Sequence, residues 1–443
     1  MLAFLNSSIL TRVPTSGLLF VYRLLSKLYP SHTTDPVMQR ASEAAFGSGS
    51  AFIELYKRVM KQCAPRVRKK FISNIIIKWR ATEGHAKRMA FRKKHGFVPP
   101  MFFVISPTMR CNLKCTGCYS GMYAKDGDLP IELVDKAIEE GKALGMQFFT
   151  VSGGEPFIRD DLLDLYARHD DAFFQVYTNG YFLDRDMARR LAELGNVAPA
   201  ISVEGYGAHT DERRGKGTQA RVERAMDNLR EAGVLFGFSA TPTRHNGDII
   251  ASEEFFDYYI DKGCFFGWLF QYLPIGVKPD ISLMSTPEQR NRLRETVWEV
   301  RRTRPLFLGD FWNDGPLVGG CMAGGRLYFH INVHGDIEPC VFQHFFADNI
   351  RSTSLTDALS SDYFRAIRDA QPSFRDNWYT PCMIIDRPGV LRGIVSKTGA
   401  KPSYEGSDSL VTDEAITRGL DEYADRMEYL SRPCWESRYG DLS

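Results

Sequence analysis

Cys111, Cys115 and Cys118 stand in the run Met109-Arg110-Cys111-Asn112-Leu113-Lys114-Cys115-Thr116-Gly117-Cys118-Tyr119, directly after an apolar stretch at residues 101–105. A cubane iron–sulfur cluster takes four thiolates, so a loop that offers three leaves one iron open to a ligand that is not protein. A zinc loop of this size would pair CxxC units and close with a fourth Cys or His, and none lies near in the sequence. The chain has 9 cysteines, an odd number, and the tightest group has metal rather than disulfide spacing. That pattern implies a reducing cytosol and an oxygen-sensitive protein.

The residues that follow are ordered as a second set of contacts. The apolar run at residues 147–151 ends in Ser152-Gly153-Gly154-Glu155-Pro156, where paired glycines let backbone approach a ligand closely and Glu155 can accept from an ammonium. Gln175-Val176-Tyr177-Thr178-Asn179-Gly180 and Ala200-Ile201-Ser202-Val203-Glu204-Gly205 are two further apolar runs that end in polar residues.

CxxxCxxC followed by an aromatic and then GGEP resembles the radical S-adenosylmethionine (SAM) superfamily. The resemblance implies a [4Fe-4S] cluster on Cys111, Cys115 and Cys118, with the amino and carboxylate groups of SAM on its open iron. It implies an electron from a flavodoxin- or ferredoxin-type reductant, reductive cleavage of SAM, and a 5′-deoxyadenosyl radical that abstracts hydrogen from a substrate; the cofactors carry the hard chemistry. By the same resemblance SAM is contacted by Tyr119, Gly153, Gly154, Glu155, Asn179, Ser202 and Glu204. The segment His209-Thr210-Asp211-Glu212-Arg213-Arg214-Gly215 is similar to the family's H-D-x-x-R-G element, which makes Arg214, in preference to Arg213, the partner of the SAM carboxylate.

These residues need a scaffold that brings strand ends together. Apolar runs at 102–106, 148–152, 174–177, 199–203, 235–240 and 265–272 alternate with helical patterns at 131–144, 184–194, 219–232 and 287–302. Strict alternation argues for a parallel α/β sheet, which binds ligands at its carboxyl edge, and six strands fit the partial (β/α)6 TIM-like barrel that the resemblance implies. The expected division is a helical, basic and apolar segment over 1–100, a radical SAM core over 101–304, an auxiliary-cluster domain of β-hairpin plus helix over 305–400, and a tail over 401–443.

After Pro305 the pattern changes. Residues 326–333 alternate with period two, His334-Gly335 makes a tight turn, and 336–342 return as a second strand. Cys321 precedes this hairpin, Cys340 lies on its return strand, and Cys382 follows a helical stretch at 354–371. The arrangement resembles the C-terminal extension called SPASM, or twitch when truncated, and so implies an auxiliary [4Fe-4S] cluster on Cys321, Cys340 and Cys382. A second cysteine close to Cys382 is missing, which leaves Cys434, Asp386 or an open iron as the fourth position. Cys264, at the start of an apolar strand, is read as packing.

The first hundred residues match nothing in that family. Residues 2–29 are apolar and aromatic but interrupted by Arg12, Pro14, Arg23 and Lys27, so no uncharged stretch spans a bilayer, and a signal peptide is not expected. Residues 66–94 carry many Lys and Arg against Glu83 alone, interleaved with Phe71, Ile72, Ile75, Ile76, Ile77 and Trp79. That composition suits a helical cap on the barrel with solvated charges, or a peripheral contact with the inner face of an anionic membrane. With a formal net charge of +2, no nucleic acid is expected.

The aromatic run at 265–272 ends where barrel substrates sit, which makes Gln271 and Tyr272 the expected substrate contacts; no catalytic side chain is singled out. An apolar or membrane-proximal small substrate, a lipid or cofactor precursor, ranks ahead of a ribosomal peptide or protein side chain. A non-catalytic electron carrier is disfavoured by the intact Gly153-Gly154-Glu155-Pro156.

Overall fold

The computed structural model describes residues 35–47, 49–120, 127–276, 278–371 and 376–442; the apolar segment at 2–29 lies outside them. Two helices, α1 (Pro36–Phe46) and α2 (Ser50–Gln62), lead into a short helix Pro65–Lys70, an eleven-residue π-helix Phe71–Ala81 and α3 (Glu83–His95). A parallel run follows: β1 (Val104–Ile105), α4 (Ile131–Ala143), β2 (Phe148–Val151), α5 (Asp161–Arg168), β3 (Phe173–Thr178), α6 (Arg185–Leu194) and β4 (Val197–Val203). It goes on through α7 (Thr218–Ala232), β5 (Gly237–Ala240), α8 (Glu253–Asp261), β6 (Phe266–Leu269), α9 (Pro287–Thr303) and β7 (Phe307–Asp310).

Strands β1 to β7 pair in sequence order and in parallel. This is the expected partial TIM-like barrel with one strand more than the apolar runs suggested, because residues 307–310 extend the sheet past residue 304. Local chemistry sets the helix starts. Asp184 accepts from the Met187 amide ahead of α6, and Thr286 and Gln289 close a reciprocal capping box on α9.

The hairpin is present but short, β8 (His330–Ile331) against β9 (Asp336–Glu338), with Gly335 turning at φ +87°. It is joined to the barrel: β8 lies parallel to β1, with His330 opposite Val104, and β11 (Asp348–Asn349) closes the far side of β9. Strand β10 (Phe345–Phe346) pairs with β12 (Lys401–Pro402) in a separate ribbon. The stretch at 354–371 forms two helices, α10 (Leu355–Ser360) and α11 (Asp362–Asp369), broken where Ser361 caps the second. Then come α12 (Pro388–Thr398) and the 26-residue α13 (Glu414–Tyr439), which packs along α9.

Helix α9 carries two buried arginines that hold the C-terminal loops. Arg301 makes two 2.7 Å bonds to Asp314, and Arg290 reaches Asp386 at 2.5 and 3.1 Å. The basic stretch at 66–94 turns its apolar side inward. Phe71, Ile72, Ile75 and Ile76 pack with Phe173, Ala198, Leu235 and Phe265 of the barrel, while Lys69, Lys87, Lys93 and Lys94 stay exposed. The segment is therefore a cap on the barrel, with these apolar residues packed against the strands. Among the described residues no helix is long and apolar enough to cross a membrane.

Candidate active site

The loop after β1 places its cysteines over the carboxyl ends of the strands. Cys111, Cys115 and Cys118 line a cavity of about 730 Å³ together with Tyr119, Gly153, Gly154, Asn179, Ser202, Arg213, Arg214, Gln271 and Tyr272. The glycines after β2 are sterically obligatory: a Cβ on Gly153 would lie 2.4 Å from the Thr108 carbonyl oxygen, and one on Gly154 would lie 2.1 Å from that of Arg110. Both contacts are with the backbone that launches the cysteine loop, so Gly153-Gly154 sets its height over the sheet.

The two glutamates of the set face away from the cavity. Glu155 is fully buried and accepts from Thr178 Oγ1 (2.8 Å), the Asn179 amide (2.7 Å) and the Phe157 amide (3.2 Å). Burial raises its carboxyl to about 7 against the pull of those bonds. Glu204, also fully buried, accepts from Arg213 Nη1 (2.6 Å), Arg214 Nε (2.7 Å) and Asn246 Nδ2 (3.3 Å). Each carboxylate fixes the turn that presents its cavity-lining neighbours, Asn179 in one case and the two arginines in the other. Both arginines share Glu204, and Arg214 further brings Nη1 to 3.9 Å from Cys115 Sγ. Asn179 reaches across to Asn112 Oδ1 (2.8 Å).

Tyr119 shares a hydrogen bond with Ser152 Oγ (3.0 Å) and accepts from the Gly153 amide, and burial pushes its phenol up to about 12. Gln271 is 3% exposed, and neither its side-chain oxygen nor its nitrogen has a partner. Tyr272 packs its ring against Gly117 in the cysteine loop.

The second cysteine group sits where hairpin and barrel meet. Cys321, Cys340 and Cys382 pack on the main core, and each thiol is raised by burial, Cys340 to about 12. The two candidates for a fourth position lie differently. Cys434, on α13, packs with Trp378, Tyr379 and Trp435 in a separate cluster. Asp386 gives both oxygens to Arg290, and one of them also accepts from the Cys382 amide (3.0 Å).

Comparison with known proteins bears on both groups. Residues 105–247 match the radical SAM superfamily and residues 321–383 match SPASM, an iron–sulfur cluster-binding domain. The chain carries a radical SAM domain followed by a SPASM domain. Its relatives include the mycofactocin maturase MftC of Mycobacterium ulcerans, 28% identical over 64% of this chain and 81% of that one. The Fe-coproporphyrin III synthase of Methanosarcina barkeri is 38% identical, over 31% of this chain and 36% of its own length. The PqqA peptide cyclase of Streptomyces rochei is 27% identical over 54% and 69%. Among solved structures, Streptococcus suis SuiB bound to S-adenosylmethionine shares the fold, with a TM-score of 0.53 at 21% identity over 63% of this chain and 70% of that one.

As a radical SAM enzyme with a SPASM domain, the protein uses a [4Fe-4S] cluster with SAM and an auxiliary iron–sulfur cluster, and its own residues suit them. Backbone amides two residues on point at the sulfurs: Leu113 to Cys111 (3.5 Å), Phe342 to Cys340 (3.4 Å) and Ile384 to Cys382 (3.4 Å). Such donors favour thiolate over thiol, which is what a bound metal requires. Among the described residues no three donors converge tightly enough for a single ion; a cubane, whose thiolates bind different irons, needs no such convergence.

One network near the site was missed in the sequence. Ser106 Oγ lies 2.7 Å from His330 Nε2, His330 Nδ1 lies 2.5 Å from Glu338, and Asn332 and His344 also approach that carboxylate. Burial opposes its charge, yet His344 and His330 hold Glu338 down at about 2. The period-two spacing of His330, Asn332, Asp336 and Glu338 put them on one face of the hairpin and was the available signal.

Proposed function

We propose that this radical SAM enzyme abstracts hydrogen from an apolar substrate held by Gln271 and Tyr272 in the cavity beneath the cysteine loop. The observation that carries this reading is that one cavity joins the cysteines, the glycine turn and a largely aromatic and aliphatic wall. When bound, cluster and SAM supply a one-electron cleavage that yields a 5′-deoxyadenosyl radical. The chain's residues do the positioning. Cys111, Cys115 and Cys118 hold iron; Gly153, Gly154, Asn179 and Ser202 offer backbone and side-chain contacts to SAM; Arg213 and Arg214, oriented by Glu204, face its carboxylate. Glu155 acts through the Asn179 turn, and Tyr119 through Ser152. Cys321, Cys340 and Cys382 hold the auxiliary cluster with its fourth position open. A flavodoxin- or ferredoxin-type partner supplies the electron, and exposed Lys69, Lys87, Lys93 and Lys94 carry any contact with an anionic membrane.

A second reading, modification of a peptide, is favoured by the likeness to the PqqA peptide cyclase. The test of the shared chemistry is anaerobic reconstitution with a chemical reductant. Wild type forms 5′-deoxyadenosine, and the Cys111→Ala, Cys115→Ala, Cys118→Ala variant forms none; product from that variant overturns the proposal. Deuterium transfer into 5′-deoxyadenosine from a labelled long-chain alcohol or from a labelled peptide then separates the two substrate classes.

A further inference from the structure

The cavity does not stop beneath the SAM-facing residues. It continues down the barrel axis to the amino ends of the strands, where Phe102, Phe148, Phe173, Phe266 and Phe307 line it, and out between α2 and the π-helix, past Phe52, Leu55, Ile75, Ile76 and Trp79. Closed barrels of this family of folds fill that volume with layers of side chains. Here it is left as a bore because several wall positions are small: Thr150, Ala198, Ser202 and Ser239.

Two chemical properties of the bore define its occupant. Its middle makes no polar demand, because Trp268 Nε1 donates to Gln175 Oε1 (2.8 Å) and Gln175 Nε2 donates to Tyr177 Oη (2.9 Å). Below that belt the described lining is hydrocarbon and aromatic ring, with Arg80 at the rim as its charge, and the far mouth is marked by Phe52 and Phe307, 49% and 42% exposed. At the upper end the reverse holds. Gln271, buried and facing the cavity, has both a donor and an acceptor unmet, and a buried group in that state is destabilising until something pairs with it. A π-helix at the lower mouth fits a functional opening, since π turns recur at functional sites.

We infer that the bore takes one linear hydrocarbon tail of an amphiphile, whose neutral head, a hydroxyl or an amide that both donates and accepts, pairs with Gln271 beside SAM. This deepens the function proposed above and rests on its placement of SAM, but the binding itself needs no SAM cleavage. The head end lies next to the radical site and the tail runs away from it, toward the cap formed by α2 and the π-helix. SAM cannot account for the lower half, whose wall offers nothing to a sulfonium, a ribose or an adenine.

The test is equilibrium dialysis of the reconstituted holoenzyme with radiolabelled 1-alkanols from eight to eighteen carbons and their methyl ethers. Affinity of the alkanols rises by about fourfold per added methylene until the chain reaches the lower mouth, then levels, and each alkanol binds more tightly than its methyl ether. Gln271→Leu removes the preference for alcohol over ether and keeps the rise with length. Ile76→Trp lowers the length at which the rise levels and keeps the preference for alcohol. Iron content and thermal unfolding check that each variant is folded, and the wild-type series stands if either is not. No dependence on length, or equal binding of alcohol and ether by wild type, overturns the inference, as does displacement of a bound alkanol by an oligoleucine peptide at lower concentration. Failure of every alkanol to bind an enzyme that still cleaves SAM discards the bore and spares the radical reading. Tight binding by an enzyme that never cleaves SAM does the opposite.

Discussion

Glu155 is tied into the fold by the Thr178 hydroxyl and the amides of Asn179 and Phe157. Its carboxyl, buried and raised from 4.5 to about 7, takes up a proton in the folded chain at a pH where the unfolded chain has already lost it. The stabilisation is therefore complete below the unfolded value and is lost as pH rises through about 7. At about 1.4 kcal/mol per pKa unit this amounts to roughly 3 kcal/mol at most. Glu155→Gln keeps an acceptor for Thr178 and carries no charge at any pH. Its melting temperature should decline less than that of wild type between roughly pH 5 and 8, whereas parallel curves would remove Glu155 as the titrating group. The three cysteines and Gly153-Gly154-Glu155-Pro156 were legible because the chemistry of a cluster loop and a tight glycine turn is local. The partners of Glu155 and Glu204 were not, since Thr178 reaches Glu155 only once β2 and β3 lie side by side, and Arg213 reaches Glu204 only once the chain folds back as a short helix after β4.

At the scale of elements, helix and strand alternation was readable and the cap was harder to place. Residues 71–81 have the composition of a membrane-surface helix, yet Phe71 and Ile76 are used on the underside of the barrel. Composition cannot distinguish a bilayer from the end of a barrel, because both offer the same apolar contact. What locks the cap in place is polar. Asn74, 2% exposed, donates through Nδ2 to the carbonyls of Asp170 (3.0 Å) and Ala172 (2.8 Å) ahead of β3. Asn74→Ala removes both bonds while Lys70 and Asn196 still reach those carbonyls, so it should cost about 1 kcal/mol, read as a lower urea midpoint together with faster proteolysis within residues 71–81. A midpoint equal to that of wild type would mean the cap is held by apolar packing alone.

For the molecule as a whole, the strand that leads into the first cysteine loop and the hairpin beside the second cysteine group belong to one sheet, and the proposed ligand sets of the two clusters share no residue. The variant with Cys111, Cys115 and Cys118 replaced by Ala should keep roughly four irons on Cys321, Cys340 and Cys382, by iron analysis of the folded protein. Adding Cys434→Ala should change neither the iron count nor the paramagnetic resonance spectrum, because Cys434 is held in the Trp378–Trp435 cluster. A changed spectrum would make it a ligand. The hairpin was legible from its period-two pattern and its Gly335 turn. That it continues the barrel sheet, and that Arg290 on α9 finds Asp386 far along the chain, was not, since no local pattern encodes a pairing between distant segments.

The parallel pairing of β8 with β1 has a consequence for solubility. Without β8, the strand that feeds the cysteine loop would present Val104 and Ile105 on an open edge, a row of unpaired amides and carbonyls ready to recruit another chain. The C-terminal extension is thus also the guard of the barrel's flank. A chain ending at residue 320 should form soluble oligomers or precipitate rather than yield a smaller enzyme, by light scattering after expression. Dissection of this protein into separately studied halves has to begin by supplying the 321–350 segment to the barrel as a peptide.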